Sequence, residues 1–500
     1  MASYWYESMS AADRPFLVFE GPNTHMHVGG VAIFDGESLT NAAGGIDIER
    51  IRAYVWSRLH YIPRYRQRLS YVPVENYPVW IDDGAIHPHY HVRHASLPRP
   101  GDDRQLKSMA ARILSQRLDR DRPLWEAWIV EGLEGGRFAL ILKTHHCVVD
   151  GVSGIDLLSV LLRPFADATF EDPPAWIPRP APNGAEMFRD QLTRRLVAPL
   201  NLLWEAARSV RNLPADFEQL QARFLENAAA TWDFIGAGLR RPAATPHNKP
   251  IGPYRRVDWK RLDLHAVKAV KNRLGGTVND VVLATVSGAV RRYLLHRGCD
   301  VDTLDYKTVV PVNIRGADEL GALGNRVAAW MLSLPIQEAD PARRYARVCQ
   351  TTTHIKRTKQ AQGVAVLSQV AELGDPIMTL GIRLAARLHP YNLIVSNVVG
   401  PQVPLYLLGA RLLEGYPAVP LFEYQGLGVA TLSYDGNLFW GLNADWDLVP
   451  DLHEVASALA ASFDELHRAA LSAPAGSPPQ APKRRRPGKG RHQAARQERP

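Results

Sequence analysis

The stretch RFALILKTHHCVVDG (residues 137–151) joins a run of apolar residues to a cluster of histidines, an aspartate and a glycine. The sequence around it predicts two β-strands, Trp125–Val130 and Arg137–Lys143, connected by a glycine-containing hairpin. VSGIDLLSVLL (residues 152–162) then has the apolar spacing of a helix. We therefore expect a buried strand to pass into a helix at four candidate functional residues: His145, His146, Asp150 and Gly151.

Length and composition predict a two-domain globular protein. The chain has 500 residues, of which 46% are apolar and 22% charged. No apolar run approaches the roughly 18 residues that a membrane-spanning helix needs, and the N-terminus lacks the features of a signal peptide. Three widely separated cysteines, Cys147, Cys299 and Cys349, indicate reduced thiols in a cytoplasmic protein and no disulfide framework.

The formal net charge of +8 belongs mostly to the C-terminus. Lys483–Arg499 contains eight Lys or Arg and one acid, which gives it +7 and leaves the rest of the chain at +1. We expect residues 472–500 to be disordered, because they are rich in Pro and Arg and poor in apolar residues. The tail lacks interleaved aromatic residues, so it favours an anionic lipid surface over nucleic acid.

Shifts in composition divide the rest of the chain. We predict an N-terminal α/β domain over residues 1–165, a Pro-rich linker with crossover helices over 166–253, and a C-terminal α/β domain over 254–471. An apolar stripe flanked by arginines at 187–203 fits a helix kinked by Pro199. Such a helix packs on the protein core or lies on a lipid surface.

The histidine cluster allows three interpretations. A metal site is disfavoured, because no HExxH or CxxC spacing accompanies it. A hydrogen-bonded core pair is the plain structural alternative. A general base is the third, because a neutral imidazole can take the proton of an alcohol or amine that attacks a thioester, while the thiolate leaves without strong acid assistance.

Several motifs give the chain a family resemblance. HHCVVDG resembles the HHxxxDG motif of the CoA-dependent acyltransferase superfamily. Four further stretches resemble the bacterial wax ester synthase/diacylglycerol acyltransferases: FLVFEGPNTHMHVGGVAIFDG (16–36), RPLWE (122–126), TVNDVVLATVSGAVRRYL (277–294), and VPVNIRG with LGNRVAAWMLSLP (310–335). The block at 393–445 matches the family closely, although Ser396 and Asn313 replace residues that are often Thr and Ser. The resemblance extends over most of residues 10–470.

The resemblance implies a fold, an activity and a base. It implies two similar chloramphenicol-acetyltransferase-like domains, each a mixed sheet with flanking helices, with an active-site tunnel at their interface. The activity would be transfer of a long-chain acyl group from acyl-CoA to diacylglycerol or a long-chain alcohol, by direct attack and without a metal or other cofactor. His146 would be the base and Asp150 would fix the turn, with an arginine as its partner. His145 orients its neighbour, lines the tunnel or simply packs.

Other candidate residues have competing roles. Ser396 and Asn397 are possible oxyanion donors or turn residues. Asn279 and Asp280 line the site or cap a helix. Pro123, Leu124 and Trp125 form a channel wall or core, and Arg315 pairs with Asp150 or contacts a CoA phosphate.

Two other classes of function remain open. One is a condensation-type enzyme that uses acyl groups bound to a carrier protein. The other is a non-catalytic lipid-binding protein. The expected location of the lipid enzyme is cytoplasmic, at the inner membrane or at lipid droplets. The sequence does not predict its oligomeric state.

Overall fold

Two mixed β-sheets with flanking helices form the body of the protein. The structure, a computed structural model, describes residues 4–10, 13–148, 158, 160–190, 193, 242–313, 327–357 and 391–472. The expected α/β architecture with two sheet-containing units is confirmed. Within these residues, no helix combines the length and apolar character that crossing a bilayer requires.

The first half of the chain forms most of one lobe. Its elements are β1 (Glu7–Ser8), α1 (Arg14–Phe19), β2 (His27–Asp35), α2 (Ile48–Arg58), β3 (Gln67–Tyr71), β4 (Pro78–Asp82), α3 (Pro88–His91), β5 (Val92–Ser96), α4 (Asp103–Ser115), β6 (Trp125–Leu133) and β7 (Arg137–His145). The predicted hairpin is present as β6 and β7, and both strands extend beyond the predicted ends. Strand β7 is buried at nearly every position because the sheet is covered on both faces, which explains its uninterrupted apolar run.

The second half of the chain begins with a strand and two helices. Its elements are β8 (Arg255–Asp263), α5 (Leu264–Leu274), α6 (Val278–His296), β9 (Lys307–Asn313), β10 (Val327–Ser333), α7 (Pro341–Arg357), β11 (Leu393–Val399), β12 (Tyr406–Leu407), β13 (Ala410–Ala418), β14 (Leu427–Tyr434), β15 (Asn437–Asp445) and α8 (Leu452–Ser472). Helix α6 is buried around most of its circumference, and it forms the centre of the second core with α8 packed against it.

The second half of the chain contributes β12 and β13 to the sheet of the first lobe. This first large sheet has the order β12-β13-β2-β7-β6-β5, so the two strands at one of its edges come from the second half of the chain. The second has the order β10-β9-β11-β14-β15-β8. A small sheet, β1-β4-β3, lies beside the first lobe. The sequence did not predict that β12 and β13 join the first sheet, because a strand's periodicity does not identify its partner.

Strand β13 also packs directly on the second sheet. An added Cβ at Gly441 of β15 would lie 1.8 Å from the carbonyl oxygen of Pro417 in β13. Next to this contact, Trp259 of β8 stacks on Tyr416 with ring centroids 4.9 Å apart. The two lobes therefore meet backbone to backbone at a point that admits no side chain.

The Pro-rich segment of residues 171–184 packs against the first lobe. The Arg179 guanidinium donates hydrogen bonds to both carboxylate oxygens of Asp82, at 2.8 and 2.9 Å, and lies over the ring of Trp5. The backbone N–H of Trp5 donates to the carbonyl of Pro180 at 2.9 Å. The segment that we interpreted as a linker is thus fixed to the surface of the lobe.

We predict that Gly441→Ala destabilises the protein severely. The new methyl group would clash with backbone on the facing strand, which cannot move without disrupting the sheet, and such overpacking costs about 1–3 kcal/mol or more. Thermal unfolding of the purified variant measures the effect. Gly84→Ala is the matched control, because its added Cβ would make only a 3.5 Å contact with Pro178. Equal melting temperatures for the two variants would contradict the prediction.

Candidate active site

The two adjacent histidines lie at the end of β7, held by backbone hydrogen bonds. The N–H of His145 donates to the carbonyl of Leu124 at 2.9 Å, and the N–H of His146 donates to the carbonyl of Met26 at 2.8 Å. Both peptide groups are therefore fixed between the residue before β6 and the residue before β2. The position of the pair is set by the sheet.

His146 is partly buried and stacks on an aromatic ring. The Phe16 ring of α1 lies 3.7 Å away, centroid to centroid, at an angle of 10°. The Nδ1 of His146 is buried and has no hydrogen-bond partner among the described residues. Burial lowers the pKa of His146 from 6.5 to about 4, and the nearby His145 acts in the same direction. The imidazole is consequently neutral at ordinary pH and able to accept a proton.

His145 is buried and has a defined tautomer. Its Nδ1 accepts the backbone N–H of Cys147 at 3.2 Å and lies 2.9 Å from the Cys147 sulfur. A ring nitrogen that accepts an N–H carries no proton, so the ring proton is on Nε2. That atom lies 3.7 Å from Oε2 of Glu20, which is an electrostatic contact and too long for a hydrogen bond.

Glu20 is a buried carboxylate that the sequence analysis missed. It lies just after α1, and the Arg120 guanidinium donates to its Oε2, with a distance of 2.7 Å from Nε. Burial raises the pKa of Glu20, but His145 and Arg120 outweigh burial and lower it to about 2. Glu20 is therefore ionised beside His145. Glu20 lies within the family-like stretch at residues 16–36, and that stretch was the available sequence signal.

A small cavity with polar and apolar lining residues lies beside the histidine pair, between the lobes. His25, His27 and Leu114 line it from the first lobe, and Arg255 and Asn443 from the second. Both ring nitrogens of His27 and the Oδ1 of Asn443 are buried without a hydrogen-bond partner in the described part of the protein. The His27 ring lies 6.2 Å from that of His145, because the two residues are paired across β2 and β7.

Burial controls the charge of this cavity. It lowers the pKa of His25 to about 4 and the pKa of His27 well below 6.5, and the positive charge of Arg255 acts in the same direction. Burial also lowers the pKa of Arg255 itself to about 10. Two neutral imidazoles and a buried guanidinium therefore line the same cavity. The alternation THMH (residues 24–27) was the sequence signal for this pair of histidines.

Ser396 and Asn397 face opposite sides of the second sheet. Ser396 is paired with Ala430, which is paired with Gly441, so its side chain is on the face toward β13 and the first lobe. Asn397 is on the helix-packed face, where its Oδ1 accepts from the hydroxyl of Thr431 at 2.9 Å. The sequence suggested that both residues face one channel, but strand alternation separates them.

Asn279 and Asp280 lie in the first turn of α6. Asp280 accepts from the backbone N–H and the hydroxyl of Thr277, both at 2.8 Å, and from the hydroxyl of Thr352 at 2.7 Å. These bonds form a capping box and tie α6 to α7. Asn279 lies 3.5 Å from the Asn397 amide. Asn279 and Asp280 thus both make contacts that hold the second lobe together.

Pro123, Leu124 and Trp125 are buried in the first lobe. The indole N–H of Trp125 donates to the carbonyl of Tyr65 at 2.8 Å, and its ring stacks on His91 with centroids 4.6 Å apart. These contacts are those of core residues and not of a channel wall. The Leu124 carbonyl that holds His145 connects this core to the histidine pair.

Three of the candidate residues fall in parts of the chain that the structure does not describe. Asp150, Gly151 and Arg315 lie outside the described residues, as do most of the predicted helices at 152–162 and 187–203 and the whole of the basic tail from residue 473. Within the described ranges, no three His, Cys, Asp or Glu side chains come together in a way that would hold a metal ion.

Comparison with known proteins identifies a family over most of the chain. Residues 9–282 match the wax ester synthase/diacylglycerol acyltransferase catalytic domain, and residues 323–467 match the WS/DGAT C-terminal domain. A Mycobacterium tuberculosis protein named as a diacylglycerol O-acyltransferase is 34% identical over 486 residues, which covers 94% of this chain and 92% of that protein. A second from the same organism, tgs1, is 29% identical, with 90% of this chain and 94% of that protein covered.

Solved structures give the same result for the fold. The wax ester synthase/diacylglycerol acyltransferase from Marinobacter aquaeolei VT8 superposes with a TM-score of 0.64 at 25% identity, covering 93% of this chain and all of that one. The first condensation domain of the calcium-dependent antibiotic synthetase has a TM-score of 0.58 at 15% identity, covering 94% of this chain and 98% of that domain. The latter similarity concerns the fold alone.

We predict that the protein loses stability as the pH falls from about 6.5 to about 4. His25, His146 and His247 have pKa values lowered by burial to about 4, so the folded chain leaves them neutral in a range where the unfolded chain protonates them. The free energy of unfolding should be fully retained above pH 6.5 and fall below it. Urea unfolding midpoints at pH 7.5, 6 and 5 measure this, and a constant midpoint would show that the rings are not held neutral.

Proposed function

The chain belongs to the wax ester synthase/diacylglycerol acyltransferase family, and we propose that it transfers a long-chain acyl group from acyl-CoA to diacylglycerol or a long-chain alcohol, with His146 as the general base. The observation that supports this most is the partly buried, neutral imidazole at the end of β7. The products are triacylglycerol or wax ester, together with free CoA.

The proposed reaction is a direct attack. His146 takes the proton of the acceptor hydroxyl while the hydroxyl oxygen forms a bond with the thioester carbonyl carbon. The C–S bond then breaks, and the CoA thiolate receives the proton from the imidazolium. The second transfer is favourable because an imidazolium is a stronger acid than a thiol, whose ordinary pKa is about 8–9. The cycle needs no cofactor besides the CoA of the donor.

The second lobe would contribute the other half of the site. We assign stabilisation of the developing oxyanion to the Ser396 hydroxyl, because this side chain is on the sheet face toward the first lobe. Asn397, Asn279 and Asp280 would instead hold β11, α6 and α7 in place. Asp150 remains our candidate for fixing the turn after the histidines, with Arg315 as its partner or as a contact for a CoA phosphate.

We also infer a peripheral association with a cytoplasmic membrane face or a lipid droplet. The acceptors are water-insoluble lipids, so the enzyme must meet them at a surface. The tail charge of +7 would attract anionic headgroups. Exposed apolar side chains such as Ile177, which is 85% exposed, offer additional contact with lipid.

We predict that His146→Gln nearly abolishes acyl transfer. Loss of a general base lowers the rate by about 10²- to 10⁴-fold. The assay follows CoA release from palmitoyl-CoA with diacylglycerol or hexadecanol, with labelled products separated by lipid class. His94→Gln is a matched control, because His94 is a partly exposed histidine of the same lobe that pairs with Glu131 at 2.9 Å.

The wild-type protein should form triacylglycerol, wax ester or both in this assay, and His94→Gln should retain that activity. Turnover of His146→Gln at more than a tenth of the wild-type rate would refute the assigned base. An acylated carrier protein that is a better donor than free acyl-CoA would refute the proposed donor.

A further inference from the structure

We propose that Phe16 and Glu20 are positioning residues for acyl transfer, holding the catalytic histidine pair from one face of α1. The inference rests on the proposed function of His146 and adds two residues outside the HHxxxDG motif. It starts from the two side-chain contacts to the pair that come from this short segment, the Phe16–His146 stack and the Glu20–His145 contact.

The geometry of α1 brings the two side chains to the same face. The backbone N–H of Glu20 donates to the carbonyl of Phe16 at 3.2 Å, so the residues are one helical turn apart. Side chains four residues apart on a helix are neighbours. Adjacent residues at the end of a strand, by contrast, project in different directions. The turn from Phe16 to Glu20 therefore contacts the rings of both His145 and His146, which point in different directions.

Glu20 acts on the turn through His145. With the Nδ1 of His145 accepting the Cys147 N–H, the negative charge of Glu20 favours the proton on the opposite nitrogen, Nε2. The backbone N–H of Val148 also donates to the carbonyl of His145 at 2.9 Å. His146 follows His145 directly in this turn, so we infer that the tautomer and position of the His145 ring bear on the direction of the His146 side chain.

Phe16 restrains His146 itself. A parallel ring at 3.7 Å prevents the imidazole from turning about its Cβ–Cγ bond, and it excludes water from one face. Because burial keeps the pKa of His146 at about 4, the stack also helps to maintain the neutral base. A base that is free to rotate would spend much of its time out of line with the hydroxyl.

The positioning segment is itself anchored on both lobes. Arg120 binds Glu20, and the hydroxyl of Thr24 donates to the carbonyl of Phe19 at 3.0 Å. Across the lobe interface, Phe19 meets Phe422 edge to face at a centroid distance of 5.5 Å. The contacts on the histidines are thus made by an element that cannot shift freely relative to either lobe.

The test compares Glu20→Gln and Phe16→Leu with Glu131→Gln. Glu20→Gln keeps the shape and removes the charge, whereas Phe16→Leu keeps apolar volume and removes the flat ring. Glu131→Gln is the matched control, because it breaks another carboxylate–histidine pair, that with His94, in the same lobe. Each full-length variant is measured for kcat, for KM of palmitoyl-CoA and for melting temperature.

We expect each of the two test variants to lower kcat by about 10- to 100-fold with little change in KM, because the base is misplaced while substrate binding is retained. Glu131→Gln should keep the wild-type kcat. In ¹⁵N NMR spectra of the folded proteins, the His145 proton should be on Nε2 in the wild type, and Glu20→Gln should shift this tautomer balance. Phe16→Leu should raise the pKa of His146 above its wild-type value.

Wild-type kcat in both test variants would overturn the proposal. So would a loss of kcat that merely follows the melting temperature and is matched by Glu131→Gln. The NMR measurements do not depend on catalysis. Unchanged His145 and His146 signals in the variants would therefore reject the positioning role, whereas activity in His146→Gln would reject the proposed base.

Discussion

Exclusion of water from the end of β7 is the constraint on which the site depends. Removing solvent favours the neutral form of an imidazole, and it has this effect on His25, His27 and His146 together. The same desolvation would neutralise Glu20 if Arg120 and His145 did not compensate for it. A single environment thus keeps three histidines uncharged and one carboxylate charged, because nearby positive charge opposes protonation of an imidazole and favours ionisation of a carboxylate.

The short-range part of the fold could be predicted from the sequence. The β6–β7 hairpin and the mixed α/β class follow from periodicity and glycine placement, because those features record local geometry. The joining of β12 and β13 to the first sheet could not be predicted, because a pair such as Gly415 and Ala32 is distant in the chain. Nor does the Pro-rich composition near Arg179 reveal that its guanidinium is fixed by Asp82.

The site was predicted in part, for a related reason. The histidine pair was found because the motif is contiguous, whereas Glu20 is more than a hundred residues away, in a second family-like stretch that does not reveal which of its side chains meets the pair. Several motif residues turn out to support the site and not to line it. Leu124 contributes a backbone carbonyl, and Asp280 caps a helix, so a recognisable motif marks what the fold needs as well as what the chemistry needs.

The pairing of β13 with β2 limits how this chain can be recombined with its relatives. Residues 27–35 and 410–418 are hydrogen-bonded neighbours, although nearly four hundred positions separate them in the gene. A chimera joined anywhere between them would pair β2 from one parent with β13 from another, at a place where Gly30 lies against the backbone of Tyr416. Viable crossovers between homologous genes should therefore fall near the ends of the coding sequence or exchange both strands as one unit.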